Sequence, residues 1–194
     1  TTYRSVSHSA KRHTTYRSAS HSAKRRTTYR SASHSASRRY TKNVDIRPAA
    51  IEYSSHGSGT LNVADDYIGL TEHANRRQLM GLFDFAFEHR IDPARTKWCA
   101  AFVNGVLVKS GKRGSNSATA ASFLGWGRKT STPKPGDIVV LSFGRRGASH
   151  VGFYVGTTTI KGVRFVKVLG GNQKNSVKVA YYPAGRVVQY RTGG

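Results

Sequence analysis

Thr96-Lys97-Trp98-Cys99-Ala100-Ala101-Phe102-Val103 is the stretch from which the fold is read, and it holds the only cysteine of the chain. The apolar positions Cys99, Phe102, Val103, Val106 and Leu107 follow the i, i+3, i+4, i+7, i+8 stripe of a helix with one buried face. Thr96 is the expected N-cap, and Gly111 is the expected stop after Ser110. Cys99 then falls in the first turn, where unpaired N–H groups and the positive end of the helix dipole favour a thiolate. That makes Cys99 a candidate nucleophile. The competing role for a lone cysteine is a small buried thiol in a core.

A thiol nucleophile needs a base. Of the eight histidines, only His150 follows Cys99. It opens Ser149-His150-Val151-Gly152-Phe153-Tyr154-Val155-Gly156, which reads as a strand bounded by glycine. An imidazole at a strand start beside a helix-N-terminal cysteine can take the thiol proton and later protonate a leaving group. A surface histidine at a strand end is the alternative.

Helices precede strands along the chain. A short helix is expected over Ala64–Leu70, with Asp65 and Asp66 in its first turn. A second is expected over about Arg76–Arg90, with Asn75 as N-cap and a stripe of Leu79, Leu82, Phe83, Ala86 and Phe87. Met80 and Phe85 lie off that stripe and are read as packing. A further helix is expected from Ser117 to near Gly125. The expected strands are Asp137–Phe143, His150–Gly156, Val163–Leu169, Ser176–Tyr181 and Arg186–Arg191, joined by short Gly-containing loops as an antiparallel meander. This order gives an α+β layer pair.

Four segments in one order carry a resemblance: Trp98-Cys99-Ala100-Ala101-Phe102-Val103-Asn104, Pro135-Gly136-Asp137-Ile138-Val139-Val140, His150-Val151-Gly152-Phe153-Tyr154 and Leu169-Gly170-Gly171-Asn172-Gln173. Over about residues 63–192 the chain resembles the CHAP and NlpC-type cysteine peptidases. It is most similar to the bacterial and phage subgroup with a Trp-Cys-Ala-Ala-Phe nucleophile segment. The resemblance implies a papain-like core, with the nucleophile helix packed on an antiparallel sheet that carries the histidine. It implies catalysis by Cys99 and His150, with a polar residue after the histidine strand accepting from the second ring nitrogen. Asn172 matches that position, and Gln173 is the fallback. A turn asparagine after two glycines is the other reading of Asn172. The resemblance leaves Asp137 a structural role. The backbone N–H of Cys99 is the expected oxyanion donor. Trp98, Trp126 and Gln173 are candidate substrate-binding residues, with core packing the competing role for both tryptophans.

The first 39 residues are three copies of Thr-Thr-Tyr-Arg-Ser-x-Ser-His-Ser-Ala-x-Arg-x, at 1–13, 14–26 and 27–39. No acidic residue occurs through Asn43, and eleven of the 32 Lys and Arg lie in that span. With no Leu, Ile, Phe or Met there, this tail has almost nothing to bury against its ordering entropy. Its expected state is extended and bound to a partner. Arg4, Arg17, Arg30, Lys11, Lys24, Arg25, Arg38 and Arg39, with the recurring Tyr3, Tyr16 and Tyr29, suit a phosphate backbone: cations displace counterions and tyrosines stack on bases. Docking on a protein shell and an inert solvated leader are the alternatives. Residues 40–62 read as a linker, and 63–194 as the folded domain.

The net charge of +23 points to a polyanion: nucleic acid, an anionic wall polymer or an acidic membrane face. One cysteine permits no internal disulfide. No cofactor is implied. A metal centre is not expected, because His73, His89, Cys99 and His150 are the only ligand histidines and cysteine after Gly69, and they lack a zinc spacing. His8, His21 and His34 recur in serine-rich surroundings and are read as solvated. No apolar run is long enough to span a bilayer. No secretory signal pattern opens the sequence. An enzyme acting outside a cell is then expected to arrive inside a virus particle or through a membrane lesion, and a secreted wall-remodelling enzyme is disfavoured.

The expected function is a virion-associated peptidoglycan hydrolase, an endopeptidase or amidase, whose basic tail tethers it to nucleic acid or the capsid. Its substrate class comes from the resemblance, and thiol-based acyl transfer comes from the residues. The alternative is a structural minor virion protein whose repeats bind packaged nucleic acid or capsid, with the hydrolase fold secondary or inactive.

Overall fold

The structure is a computed structural model and describes residues 59–144 and 147–193. The repeats at 1–39 with their eight named cations, and the expected linker as far as Ser58, lie outside the described residues.

Three α-helices come first: α1 (Gly59–Asp65), α2 (Arg76–Phe83) and α3 (Cys99–Lys109). A short 3₁₀ helix, Ala120–Leu124, leads into six strands: β1 (Arg128–Thr130), β2 (Ile138–Leu141), β3 (His150–Ile160), β4 (Val163–Gly170), β5 (Lys178–Pro183) and β6 (Val187–Thr192). All pairings are antiparallel, and the spatial order is β1-β6-β2-β3-β4-β5. The fold is α+β, with helices packed against an antiparallel sheet, consistent with a papain-like arrangement.

The meander expectation holds from β2 to β5 and fails at the last strand. β6 returns to pair with β2 and β1 instead of extending the sheet beyond β5. The pairing of β6 with β2 shifts register between Val140 and Leu141, which leaves Val188 without an opposite partner. Val188 is accordingly exposed.

α3 is the central helix. Cys99 through Leu107 are all buried, so the helix is covered on every side and not along one stripe. Ala100, Ala101 and Gly105 supply the other faces. Their small size lets neighbours approach: a Cβ on Gly105 would stand 2.8 Å from Leu82 Cγ of α2. The opposite side of α3 meets Val151, Phe153 and Leu169 of the sheet in the same core. Gly111 ends the helix in a left-handed conformation (φ 75), as expected of a residue just past a C-terminus.

The helix begins later than expected. Thr96 belongs to a preceding turn, its N–H bonded to Asp92 O at 3.1 Å, and the N-cap position is Trp98, with no side-chain cap. α1 starts at Gly59, ahead of the expected boundary at Val63. α2 stops at Phe83, short of Arg90. The N–H groups of Phe85 and Ala86 fold back onto Leu82 and Phe83, and the chain then leaves the helix to bring Ile91 into the core. Met80 packs as expected, whereas Phe85 is exposed, with Lys109 Nζ 5.8 Å from its ring centroid. β1 is a strand the periodicity did not predict, since Arg-Lys-Thr has no apolar pattern.

Candidate active site

Cys99 is the first residue of α3, and His150 is the first residue of β3. Both are buried, each 6 % exposed. The N–H groups of Cys99, Ala100 and Val151 face the thiol, so the helix start and the first peptide of β3 meet at the sulfur. The peptide that follows His150 on β3 therefore reaches the sulfur.

Burial pushes the Cys99 thiol up. The three N–H groups and Lys97 oppose that shift without overcoming it. The expectation of a thiolate favoured by the helix terminus is therefore corrected: at rest this cysteine is a thiol. Burial pushes His150 the other way, down to about 4, against an opposing contribution from the Gln173 side chain. The resting pair is a neutral thiol and a neutral imidazole.

Gln173, not Asn172, is the polar group that acts on His150. Asn172 stands half-buried in a left-handed turn (φ 56), followed by left-handed Lys174 and Asn175. This turn reverses the chain and sends the side chain of Gln173 inward, where it is 3 % exposed. Its amide nitrogen donates to the carbonyls of Val168 (3.2 Å), Gly170 (3.0 Å) and Lys178. With the nitrogen so caged, Oε1 must face the other way, where it accepts from the Tyr182 hydroxyl at 2.8 Å. The turn is clamped from outside by the 69–72 segment: Gly69 N to Val177 O and Val177 N to Leu70 O, both 2.9 Å, and Glu72 N to Asn175 O, 3.1 Å. His150 Nε2 is buried with no hydrogen-bond partner, and the Gln173 side chain is the polar group that favours the protonated imidazole.

Tyr182 of β5 and Phe143, just after β2, complete the site and were not singled out from the sequence. The Tyr182 ring lies 5.7 Å from His150 and 5.3 Å from Phe143, and Phe143 lies 6.1 Å from His150. Burial, and then the negative charge that Cys99 would carry, push the Tyr182 phenol up. Phe143 is 45 % exposed, so its ring forms an apolar wall over the histidine open to solvent. Aromatic residues on β5 and at the end of β2 look like sheet packing in one dimension. Only the register gathers them.

Neither tryptophan is a wall of this site. Trp98 is fully buried, donates from Nε1 to Glu72 Oε2 at 3.1 Å, and packs 6.0 Å from Phe83. It is the floor beneath Cys99, and Gly171 is required where its ring passes: a Cβ there would stand 2.7 Å from Phe102 Cβ and press into the Trp98 ring. Trp126 donates to Arg113 O at 2.8 Å and packs on Phe123; no described contact joins it to Cys99. Gln173, buried under His150, is an internal anchor and not a substrate contact. Asp137 is structural, its Oδ2 accepting from Lys134 N at 2.8 Å. Asn104, one turn along α3, bonds Ala100 O (2.9 Å), Ser117 O (3.0 Å) and Ser115, which ties the 115–117 loop to the helix. A cleft of about 700 Å³ is lined by His73, Arg76, Arg77, Arg90 and Asp92 and does not include the cysteine. Among the described residues no three His, Cys, Asp or Glu side chains are grouped to hold a metal ion, and no helix is long and apolar enough to cross a membrane.

Residues 91–172 match the CHAP domain family, a span that contains both Cys99 and His150. No curated protein matches the chain significantly. Similarity to the CHAP domain over that span supports hydrolysis of peptidoglycan by a cysteine hydrolase as the general activity.

Proposed function

We propose that this protein is a cysteine peptidoglycan hydrolase in which Cys99 is the nucleophile, His150 the base and Gln173 the residue that orients it. The observation that carries this reading is the meeting of the α3 start and the β3 start at one buried sulfur, with the imidazole backed by a fixed amide.

The steps follow from the neutral resting pair. Cys99 Sγ attacks an amide carbonyl carbon of the wall peptide while its proton passes to His150. The backbone N–H of Cys99 donates to the oxygen that becomes negative. His150 then gives its proton to the leaving nitrogen as the C–N bond breaks, leaving a thioester. Water adds to the thioester carbonyl, its proton going to His150, and the thiol leaves with a proton from the same ring. Phe143 forms the apolar wall against which substrate lies.

The finer reading places the enzyme in a phage particle, cleaving the wall as endopeptidase or amidase. The three basic repeats and the net charge of +23 support a tether to nucleic acid or capsid. Purified protein incubated with isolated peptidoglycan, beside Cys99→Ala, tests the activity. New peptide termini or freed lactyl groups by mass spectrometry are expected only with the parent chain. No product from several wall types by a folded protein overturns the reading. Deletion of residues 1–39 is expected to abolish salt-dependent nucleic-acid binding and leave wall cleavage intact.

A further inference from the structure

We infer that Tyr182 is a positioning residue for the base: its hydroxyl fixes the Gln173 carbonyl that holds His150 in the Nε2–H tautomer, leaving Nδ1 free to take the Cys99 proton. The inference rests on the reading of Cys99 and His150 as nucleophile and base, and it goes beyond that reading to a residue on a strand outside the matched span.

The argument is one of valence. An amide nitrogen donates and cannot accept. The Gln173 nitrogen is surrounded by three carbonyl oxygens, so a flipped amide would set its oxygen against three acceptors. The oxygen therefore faces Tyr182 and His150. A carbonyl oxygen has two lone pairs. The Tyr182 O–H occupies one at 2.8 Å. The second is available to His150 Nε2, a buried nitrogen with no hydrogen-bond partner in this structure, and the Gln173 side chain is the one polar group that acts on the imidazole. In a neutral imidazole whose Nε2 carries the hydrogen, Nδ1 holds the lone pair and is the nitrogen that can take a proton. The opposite tautomer would set a bare Nε2 against a carbonyl oxygen and leave two acceptors facing each other.

Tyr182 contributes in a second way. Its ring lies 5.7 Å from the imidazole, and Phe143 packs against both, so the plane of His150 is held between aromatic neighbours. The titratable groups facing this assembly are Cys99 from α3 and Tyr182 itself from β5, with Lys97 acting on Cys99. No acidic side chain acts on His150, so orientation of the ring depends on neutral groups alone.

The test needs no wall substrate, so its failure is distinct from failure of the peptidoglycan reading. The full chain is labelled with ¹⁵N, and the His150 ring signals are identified by their loss in His150→Gln. Long-range proton–nitrogen correlation is expected to show the Nε2–H form in the parent chain. Tyr182→Phe keeps the ring and removes only the hydroxyl. It is expected to give a mixture of tautomers and to slow alkylation of Cys99 by iodoacetamide at neutral pH by about tenfold, the scale on which a wrongly held histidine loses function. Gln173→Ala is expected to do the same, and the double variant no more than either single one. An Nδ1–H tautomer in the parent chain overturns the inference even if Tyr182→Phe cannot be made in folded form. An unchanged tautomer and alkylation rate in Tyr182→Phe, or effects of the two substitutions that add, also overturn it.

Discussion

Acidification should destabilise this protein through one histidine, and the size of the effect can be worked from the site. His150 is 6 % exposed, and its imidazole titrates at about 4 in the folded chain, against about 6.5 when the chain is unfolded. Between these values the unfolded state binds a proton that the folded state refuses. Stability from this group is therefore complete above pH 6.5, is lost as pH falls through the window, and changes no further below pH 4. At about 1.4 kcal/mol per pH unit, the gap corresponds to about 3 kcal/mol, a large part of the 5–15 kcal/mol typical of a domain. Urea unfolding followed by tryptophan fluorescence, with Trp98 as a buried reporter, gives the free energy at pH 7, 6, 5 and 4. The comparison is with His150→Gln. The seven other histidines and every carboxylate titrate in both proteins and cancel, including Asp65, whose pKa burial raises. The parent chain is expected to lose about 3 kcal/mol more than the variant between pH 7 and 4. Two curves that stay parallel across that range would refute the reasoning, because the imidazole would then be as well solvated folded as unfolded.

The acid limb of kcat/KM on peptidoglycan is expected near pH 4 and not near 6.5, because the free enzyme carries His150 as a base down to that pH; turbidity clearance across pH measures it. Trp98→Phe removes one ring of a fully buried indole and leaves buried Glu72 without its indole donor, and should cost at least about 1–3 kcal/mol in urea unfolding. Gly171→Ala drives a methyl into the Trp98 ring and Phe102, and should cost a similar amount, about 1–3 kcal/mol, with reduced turnover because Trp98 precedes the nucleophile. Phe143→Ala removes the exposed wall over His150 and should raise KM several-fold with a smaller change in kcat, read from initial rates on a soluble wall fragment.

Reading the sequence located the proposed nucleophile and base, Cys99 and His150, and the helix and strand that carry them. One cysteine and one following histidine left no other pair to choose, and the apolar periodicity on either side was strong enough to show a helix at Cys99 and a strand at His150. It also showed the α+β order, because helical stripes and alternating runs occupy different halves of the chain. Element ends were read less well: the helix cap moved from Thr96 to Trp98, and α2 lost about its last two turns, where the chain leaves the helix to bring Ile91 into the core.

What only the tertiary structure decided is which neighbours serve those two groups. Asn172 and Gln173 are adjacent in sequence and equally polar; a left-handed turn sends one toward the surface and the other under the histidine. Tyr182 and Phe143 are ordinary sheet aromatics in one dimension, and strand register brings both to the imidazole. The ionisation of Cys99 differs from the expected thiolate for the same reason. A helix N-terminus is a local feature that sequence displays, whereas the burial that opposes it is the sum of every element packed around Cys99. That sum exists only once α3 is enclosed between the other helices and the sheet.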